Sequence, residues 1–346
     1  MRIGAFPCLE CGIFVTQNAI ASHPELPKLL IVGCGYLGMQ VGKRAASKGW
    51  SVAATTRHRQ AEIAAAGFLP VRFDWNDSRD LRQIARVIEQ ESIDRVLVSV
   101  SYDRNSKVDR FASQVDGFSR LLRVIDEATV RSQNEATVRS KNGATKGSGN
   151  SGLDVCYIST TGVYHQTGGV WVDERSPTFP TRAGGQAHLR AESRMAACLP
   201  NSTWTILRLS GIYGPGRVPR AADVRAGRPI ASPPEGHLNL IHVEDAASAV
   251  MAAFARRIVA GGSDGGCCRE RLYVVSDDSP VIRRQFYEEI AKQTGSPSPV
   301  FVDPAEDSGV RFRSETDKRI WNRRFKRDLV AKLRFPTYVE GLRSIL

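Results

Sequence analysis

No run of apolar residues in this 346-residue chain approaches the roughly 20 needed to cross a bilayer, which argues against a helical membrane span. Acidic charge is in short supply. Asp and Glu number 36 against 48 Lys and Arg, a formal net charge of +12. Such an excess invites a nucleic-acid partner, but no basic module with interleaved aromatics accompanies it, so none is expected. Much of it lies in Arg311, Arg313, Lys318, Arg319, Arg323, Arg324, Lys326 and Arg327. A solvated helix face, or attraction of a phosphorylated cofactor or substrate, accounts for that cluster. The opening Met1 to Ala21 contains Glu10 and two cysteines, and it lacks the basic, apolar, small-residue order of a signal peptide.

A disulfide framework is also missing. The seven cysteines are an odd number and scattered. Cys34, Cys156 and Cys198 fall in expected core elements, where thiols act as small apolar residues. Cys8 and Cys11 form a single C-x-x-C, and Cys267 and Cys268 are adjacent. A zinc site joining these two groups is the weaker reading, so no metal is expected. The composition suits a reduced, cytoplasmic protein.

What is present is most informative at Leu29-Leu-Ile-Val-Gly-Cys-Gly-Tyr-Leu-Gly38. A short apolar strand runs into G-x-G-x-x-G, and a helical pattern follows. Gly33 suits the tight turn off the strand, Gly35 leaves room for a pyrophosphate, and Gly38 lets the helix approach the sheet. Backbone N–H groups of Tyr36, Leu37 and Gly38 at the helix start would face the phosphates. The flanking strand and helix turn a common glycine pattern into a specific dinucleotide signal.

An acidic residue about 20 positions past the glycines would bind the adenosine ribose hydroxyls of NAD. None is there. The second strand ends Thr55-Thr56-Arg57-His58-Arg59, with hydroxyls and guanidiniums suited to a 2′-phosphate. NADP is therefore the expected cofactor, ahead of NAD, with Thr56 and Arg57 at the phosphate. Asp74 is the candidate acceptor for the adenine amino group, with a turn-forming role as the alternative. Ser99, ending the fourth strand, completes the cofactor set.

Strands and helices alternate after residue 28, as a doubly wound parallel sheet requires. The expected class is α/β, a Rossmann-type sheet with a smaller C-terminal substrate lobe. Residues 1–27 form an N-terminal extension expected to be poorly ordered, 28–215 the Rossmann domain, and 216–346 the lobe, interleaved with the core. Arg271 to Val275 and the helix Val281 to Thr294 are assigned to that lobe. Within the Rossmann domain, Glu127 to Asn134 (EATVRSQN) recurs as Glu135 to Asn142 (EATVRSKN), and a Gly/Ser/Lys-rich stretch follows. This predicts a flexible insertion at 129–152. A second one is expected at Ala260 to Gly266.

Four segments resemble the extended or atypical short-chain dehydrogenase/reductase family, in its epimerase/dehydratase branch. They are the Gly33–Gly38 loop, Tyr157-Ile-Ser-Thr-Thr-Gly-Val-Tyr164, Ile206-Leu-Arg-Leu-Ser-Gly-Ile-Tyr-Gly-Pro-Gly-Arg217 and Asn239-Leu-Ile-His-Val-Glu-Asp245. The resemblance implies an NAD(P)-binding oxidoreductase or epimerase. It would transfer hydride at a carbonyl or carbinol carbon of a small molecule, with sugars and nucleotide sugars among the candidates. It also leaves a homodimer open, since members often pair through a helix bundle.

Family chemistry rests on a Ser/Thr and a Tyr-x-x-x-Lys pair, whose lysine lowers the phenol from about 10 towards working pH. Thr160 matches the hydroxyl position. Counting back from Glu192, the lysine position falls on His188 and the tyrosine position on Gly184. None of the eight tyrosines begins a Tyr-x-x-x-Lys.

His188, with Tyr164 and His165, is thus the candidate substitute proton donor, against a capping or packing role for His188 and a substrate-pocket wall for Tyr164. Tyr213, Arg217 and Asn239 are the candidate substrate-binding residues. His242 and Asp245 are expected to order the lobe, and Arg208 to brace the sheet. An enzyme with a nonstandard site leads, and a catalytically silent NADP(H)-binding sensor or scaffold is the alternative.

Overall fold

The computed structural model describes residues 26–141, 152–256, 270–303 and 316–346. The extension 1–25, Cys8 and Cys11, the stretch 142–151, the insertion at Ala260 to Gly266, and Cys267 and Cys268 lie outside the described residues.

Leu29 to Val32 have no solvent exposure, as a central parallel strand requires. From this strand the chain runs β1 (Lys28–Val32), α1 (Tyr36–Ala46), β2 (Ser51–Thr56), α2 (Gln60–Ala65) and β3 (Leu69–Arg72). It continues through α3 (Ser78–Gln90), β4 (Arg95–Val98), α4 (Phe118–Lys141) and β5 (Asp154–Thr160). The strand β6 (Val170–Val172), α5 (Ala183–Cys198) and β7 (Thr203–Leu209) follow. Shorter pieces come next: β8 (Gly211–Tyr213), α6 (Ala221–Arg225), β9 (Ile230–Ala231), β10 (His237–Leu238) and β11 (Leu240–His242). The chain then forms α7 (Val243–Ala255), β12 (Glu270–Val275), β13 (Val281–Ile282), α8 (Arg283–Thr294), β14 (Phe301–Val302) and β15 (Lys318–Ile320).

Seven strands make one sheet in the order β12-β7-β5-β4-β1-β2-β3. Every pairing in it is parallel. Side chains of β1 alternate between the two faces. Leu29 and Ile31 pack with α1 and α7 through Val41, Ala249 and Phe254. Leu30 and Val32 pack with α3, α4 and α5 through Ile84, Phe118, Ile125 and Met195. Strand order reverses between β1 and β4, which opens a crevice at their carboxyl ends. A separate small core gathers around Tyr213, Leu240, Phe286 and Ile290.

Two expectations change. The segment expected in the lobe as Arg271 to Val275 is instead β12, which pairs with β7 at the sheet edge. Residues from beyond 216 therefore finish the Rossmann layers. The insertion does not begin at residue 129, because α4 continues to Lys141. Thr129 is buried, and its hydroxyl donates to the Ile125 carbonyl at 3.1 Å and meets Ser202 Oγ at 2.9 Å. The first repeat copy continues the buried face of Leu121, Leu122, Ile125 and Ala128, so helical periodicity prevails there over polar composition.

Candidate active site

The first cleft lies over the switch point, with a volume of about 470 Å³. Gly33, Gly35, Thr56, Arg57, Asp74 and Ser99 line it. Gly33 has φ +88°, and a Cβ there would meet the Ser99 carbonyl oxygen at 2.8 Å. At Gly35 a Cβ would meet nothing within 4 Å, so the loop is open where a ligand would approach. At Gly38 it would meet the Gly33 carbonyl oxygen at 2.9 Å, which is how closely α1 packs on the loop. Leu37 is in the core and Tyr36 Oη donates to the Pro215 carbonyl at 3.0 Å, so these two face the cleft through backbone alone. No side chain caps α1 and no acid sits in its first turn, which leaves its N–H groups and positive dipole available. These features fit a dinucleotide.

Polar groups of this cleft around Arg57 and Asp74 are partly engaged. Arg57 Nη2 donates to Asp103 at 2.9 Å. Thr56 Oγ1 accepts from the His58 and Arg59 N–H groups. Asp74 Oδ1 accepts from the Asn76 backbone and amide, the turn-forming role.

A second cleft of about 440 Å³ is lined by Arg104, Arg110, Thr160, Gly162, Arg182, Gly184, Gly185 and His188. The segment between β4 and α4 lines both clefts, through Asp103 and Ser106 in one and Arg104 and Arg110 in the other. Thr160 ends β5, and its Oγ1 accepts the Gly162 N–H at 3.0 Å in a tight 3-10 turn. Gly184 and His188 stand one turn apart on α5. Gly185 binds that helix to the turn, since a Cβ there would lie 2.4 Å from the Gly162 carbonyl oxygen. A Cβ on Gly184 would find only Arg110 Nη1, at 3.8 Å. The arginine thus borders the space above Gly184.

His188 Nδ1 lies 2.8 Å from Tyr157 Oη. Burial, helped by the Arg110 charge, pushes the imidazole down to about 4, so it is neutral near pH 7. Burial and the Glu192 charge push the Tyr157 phenol well above its ordinary range.

The other expected residues are spent elsewhere. Tyr164 does not line the cleft. Its hydroxyl donates to the Asp173 carbonyl at 2.8 Å and accepts from Arg208 Nη1 at 2.7 Å, and burial pushes it up to about 12. Arg208 also forks onto Glu192, with Nε at 3.0 Å and Nη2 at 2.6 Å from its oxygens. Ser159 Oγ donates to the same carboxylate, so this buried network joins β5, α5 and β7. His165 meets Thr181 Oγ1 at 3.0 Å.

Tyr213 is fully buried in the separate small core. Asn239 donates to the Lys318 carbonyl at 2.9 Å and accepts from the Ile320 N–H at 2.7 Å, which fastens β15. Arg217 is exposed and lies over the Tyr36 ring, 5.4 Å from its centre. Asp245 accepts from the Arg334 and Phe335 N–H groups, which ties that backbone to α7.

Sequence reasoning missed the three arginines and Tyr157. Arg110 precedes a π-helical turn, Ala112–Gly117, whose Gln114 accepts from it and whose Ser113 accepts from Trp75. Among the described residues no group of three His, Cys, Asp or Glu could hold a metal ion, and no helix is long and apolar enough to cross a membrane.

The NAD dependent epimerase/dehydratase family matches residues 29–263. Protein YeeZ of Escherichia coli K12 is 24% identical over 293 residues, covering 82% of this chain and 89% of YeeZ. A solved conserved protein of unknown function from Silicibacter pomeroyi DSS is 27% identical, with a TM-score of 0.67 over 92% of this chain and 98% of that one. dTDP-glucose 4,6-dehydratase of Bacillus anthracis Ames, solved with NAD, has the same fold at 15% identity. Its TM-score is 0.67 over 92% of this chain and 94% of that one. The family match, the sheet order and the glycine loop agree, and this chain belongs to the NAD-dependent epimerase/dehydratase family.

Proposed function

We propose that the protein is an NADP-dependent oxidoreductase acting at a carbonyl or carbinol carbon, with Thr160 and His188 serving where the family uses its tyrosine–lysine pair. The observation that carries this reading is the convergence of Thr160, Gly184 and His188 on one cleft beside the dinucleotide cleft. A bound nicotinamide dinucleotide supplies or takes up the hydride. The loop from Gly33 through Gly35, Tyr36 and Leu37 to Gly38 would hold its pyrophosphate. Thr56 and Arg57 would hold a 2′-phosphate, with Asp74 and Ser99 along the cleft.

The Tyr157 phenol keeps its proton and its O–H would donate a hydrogen bond to His188 Nδ1, the tautomer that carries hydrogen on Nε2. Thr160 accepts from Gly162, so its own O–H is left to donate. As charge develops on a substrate oxygen, these two donors face it, and solvent at the open cleft provides the proton. A neutral imidazole suits hydrogen-bond donation better than proton release. Tyr164, held by Asp173 and Arg208, takes no part in this scheme.

Gly184 carries no proton, which favours one competing reading, a silent NADP(H) sensor. Fluorescence titration separates cofactors: NADPH binds more tightly than NADH, and the reverse order overturns the role of Arg57. A turnover screen over aldehydes, ketones, 2-oxo acids and nucleotide sugars should find a substrate whose rate drops in Thr160→Val. Tight NADPH binding without turnover would establish the sensor instead.

A further inference from the structure

We propose that the arginine-lined cleft takes a small organic acid whose carboxylate adjoins the carbon that exchanges hydride, a 2-oxo or 2-hydroxy acid rather than a sugar nucleotide. The position of that carbon rests on the oxidoreductase reading above. The charge and chemistry of the cleft do not.

Arg104, Arg110 and Arg182 line the cleft together with Thr160 and His188, and no carboxylate or carboxamide does. Such a lining offers many donors and few acceptors. A carboxylate is an acceptor at every lone pair, whereas sugar hydroxyls need acceptors as well as donors. The charge also stands at the reacting end of the site. An anion held there would share one cleft with the carbon facing Thr160 and His188.

Arg110 is built in without being neutralised. It donates to the uncharged Gln114 Oε1 at 3.0 Å and lies over the Tyr102 ring, 4.1 Å from its centre. Neither Arg104 nor Arg110 forms an ion pair among the described residues. Asp109, next to Arg110 in the chain, turns Oδ1 to the Phe111 and Ala112 N–H groups. Other arginines of this protein do meet carboxylates, as Arg57, Arg131 and Arg208 show.

Gly184 keeps the space beside Arg110 clear, and a side chain there would compete with an anion for it. The 16-residue α5 begins at the same place with no side-chain cap and no acidic first turn, which adds its dipole to the guanidiniums. An anion on Arg110 would also offset one of the two influences that weaken His188 as a base.

Calorimetric titration of the full chain, with and without NADP+, tests this using oxamate, inorganic phosphate and UDP-glucose as probes. Oxamate should bind, weaken with added salt, and lose about tenfold or more in affinity in Arg110→Met. Arg104→Met, an exposed change, should weaken it as well without altering the melting temperature. No oxamate binding, or tighter binding of phosphate or UDP-glucose, overturns the proposal. Oxamate binding by a chain that ignores NADPH would uphold the anion site and remove the oxidoreductase reading. NADPH binding without oxamate binding would do the opposite.

Discussion

Tyr157 Oη and His188 Nδ1 are 2.8 Å apart, so a buried phenol on β5 fixes the imidazole that α5 presents to the cleft. Burial first, and the Arg110 charge second, disfavour protonation of the ring. Unfolded histidine titrates near 6.5, while folded His188 stays neutral down to about 4. The unfolded state therefore binds the extra proton between those values, and stability from this residue is complete above pH 6.5 and is lost as pH falls towards 4. His242, also lowered by burial, adds a slope of the same sign. Thermal denaturation across pH 4 to 7 should show a smaller acid-side loss in His188→Gln than in the parent. An identical slope would show that His188 titrates normally.

The same pair sets a catalytic expectation. Glutamine retains an N–H donor, so His188→Gln should keep more turnover than His188→Ala. Equal loss in both variants would point to proton transfer through the imidazole rather than hydrogen-bond donation.

Neighbouring glycines on α5 should respond in opposite ways. Gly184→Ala meets only Arg110 Nη1 at 3.8 Å, so it should fold within about 1 kcal/mol of the parent, on the stabilising side. Gly185→Ala places a Cβ 2.4 Å from the Gly162 carbonyl oxygen and 2.7 Å from Pro180 Cβ. Separating α5 from the Thr160 turn should cost roughly 1–3 kcal/mol. Chemical denaturation of both variants checks the contrast.

In the first cleft, Asp103 competes with any phosphate for Arg57. Asp103→Asn should therefore tighten NADPH binding, and Arg57→Ala should weaken it by roughly tenfold to a hundredfold, with NADH affected little. Equal effects on both nucleotides would mean that Arg57 does not contact the 2′-phosphate.

Glu192 and Arg208 form a buried pair, each side chain 6% exposed. Arg208→Met strands the carboxylate and also removes a hydrogen bond from Tyr164. A loss of about 3–5 kcal/mol is expected, measurable by urea unfolding, while the paired change Glu192→Met with Arg208→Met should recover much of it.

The glycine loop could be read directly because its constraints are local: a positive φ at Gly33 and clearance at Gly35 and Gly38 involve adjacent backbone. Apolar runs likewise marked the strands, since both faces of a parallel sheet are covered. Which sheet a run joins is not local. Arg271 to Val275 looked like a lobe segment until pairing with β7 placed it at the sheet edge. Helical periodicity hidden in a polar repeat carried α4 to Lys141, past the point where composition suggested a loop.

The sequence alone determined the glycine loop, the α/β alternation and the absence of any Tyr-x-x-x-Lys, because each is a property of residues a few positions apart. Tertiary structure decided which polar groups are already spent. Asn239 looked available to a substrate and Tyr164 as a proton donor, yet partners within the fold satisfy their hydrogen-bonding groups. Arg110 gave no signal at all, and became prominent only when the order β4-β5 brought its loop against Thr160 and Gly184. A buried polar group must find its partner across the fold. What is left facing the cleft is therefore fixed by topology and packing.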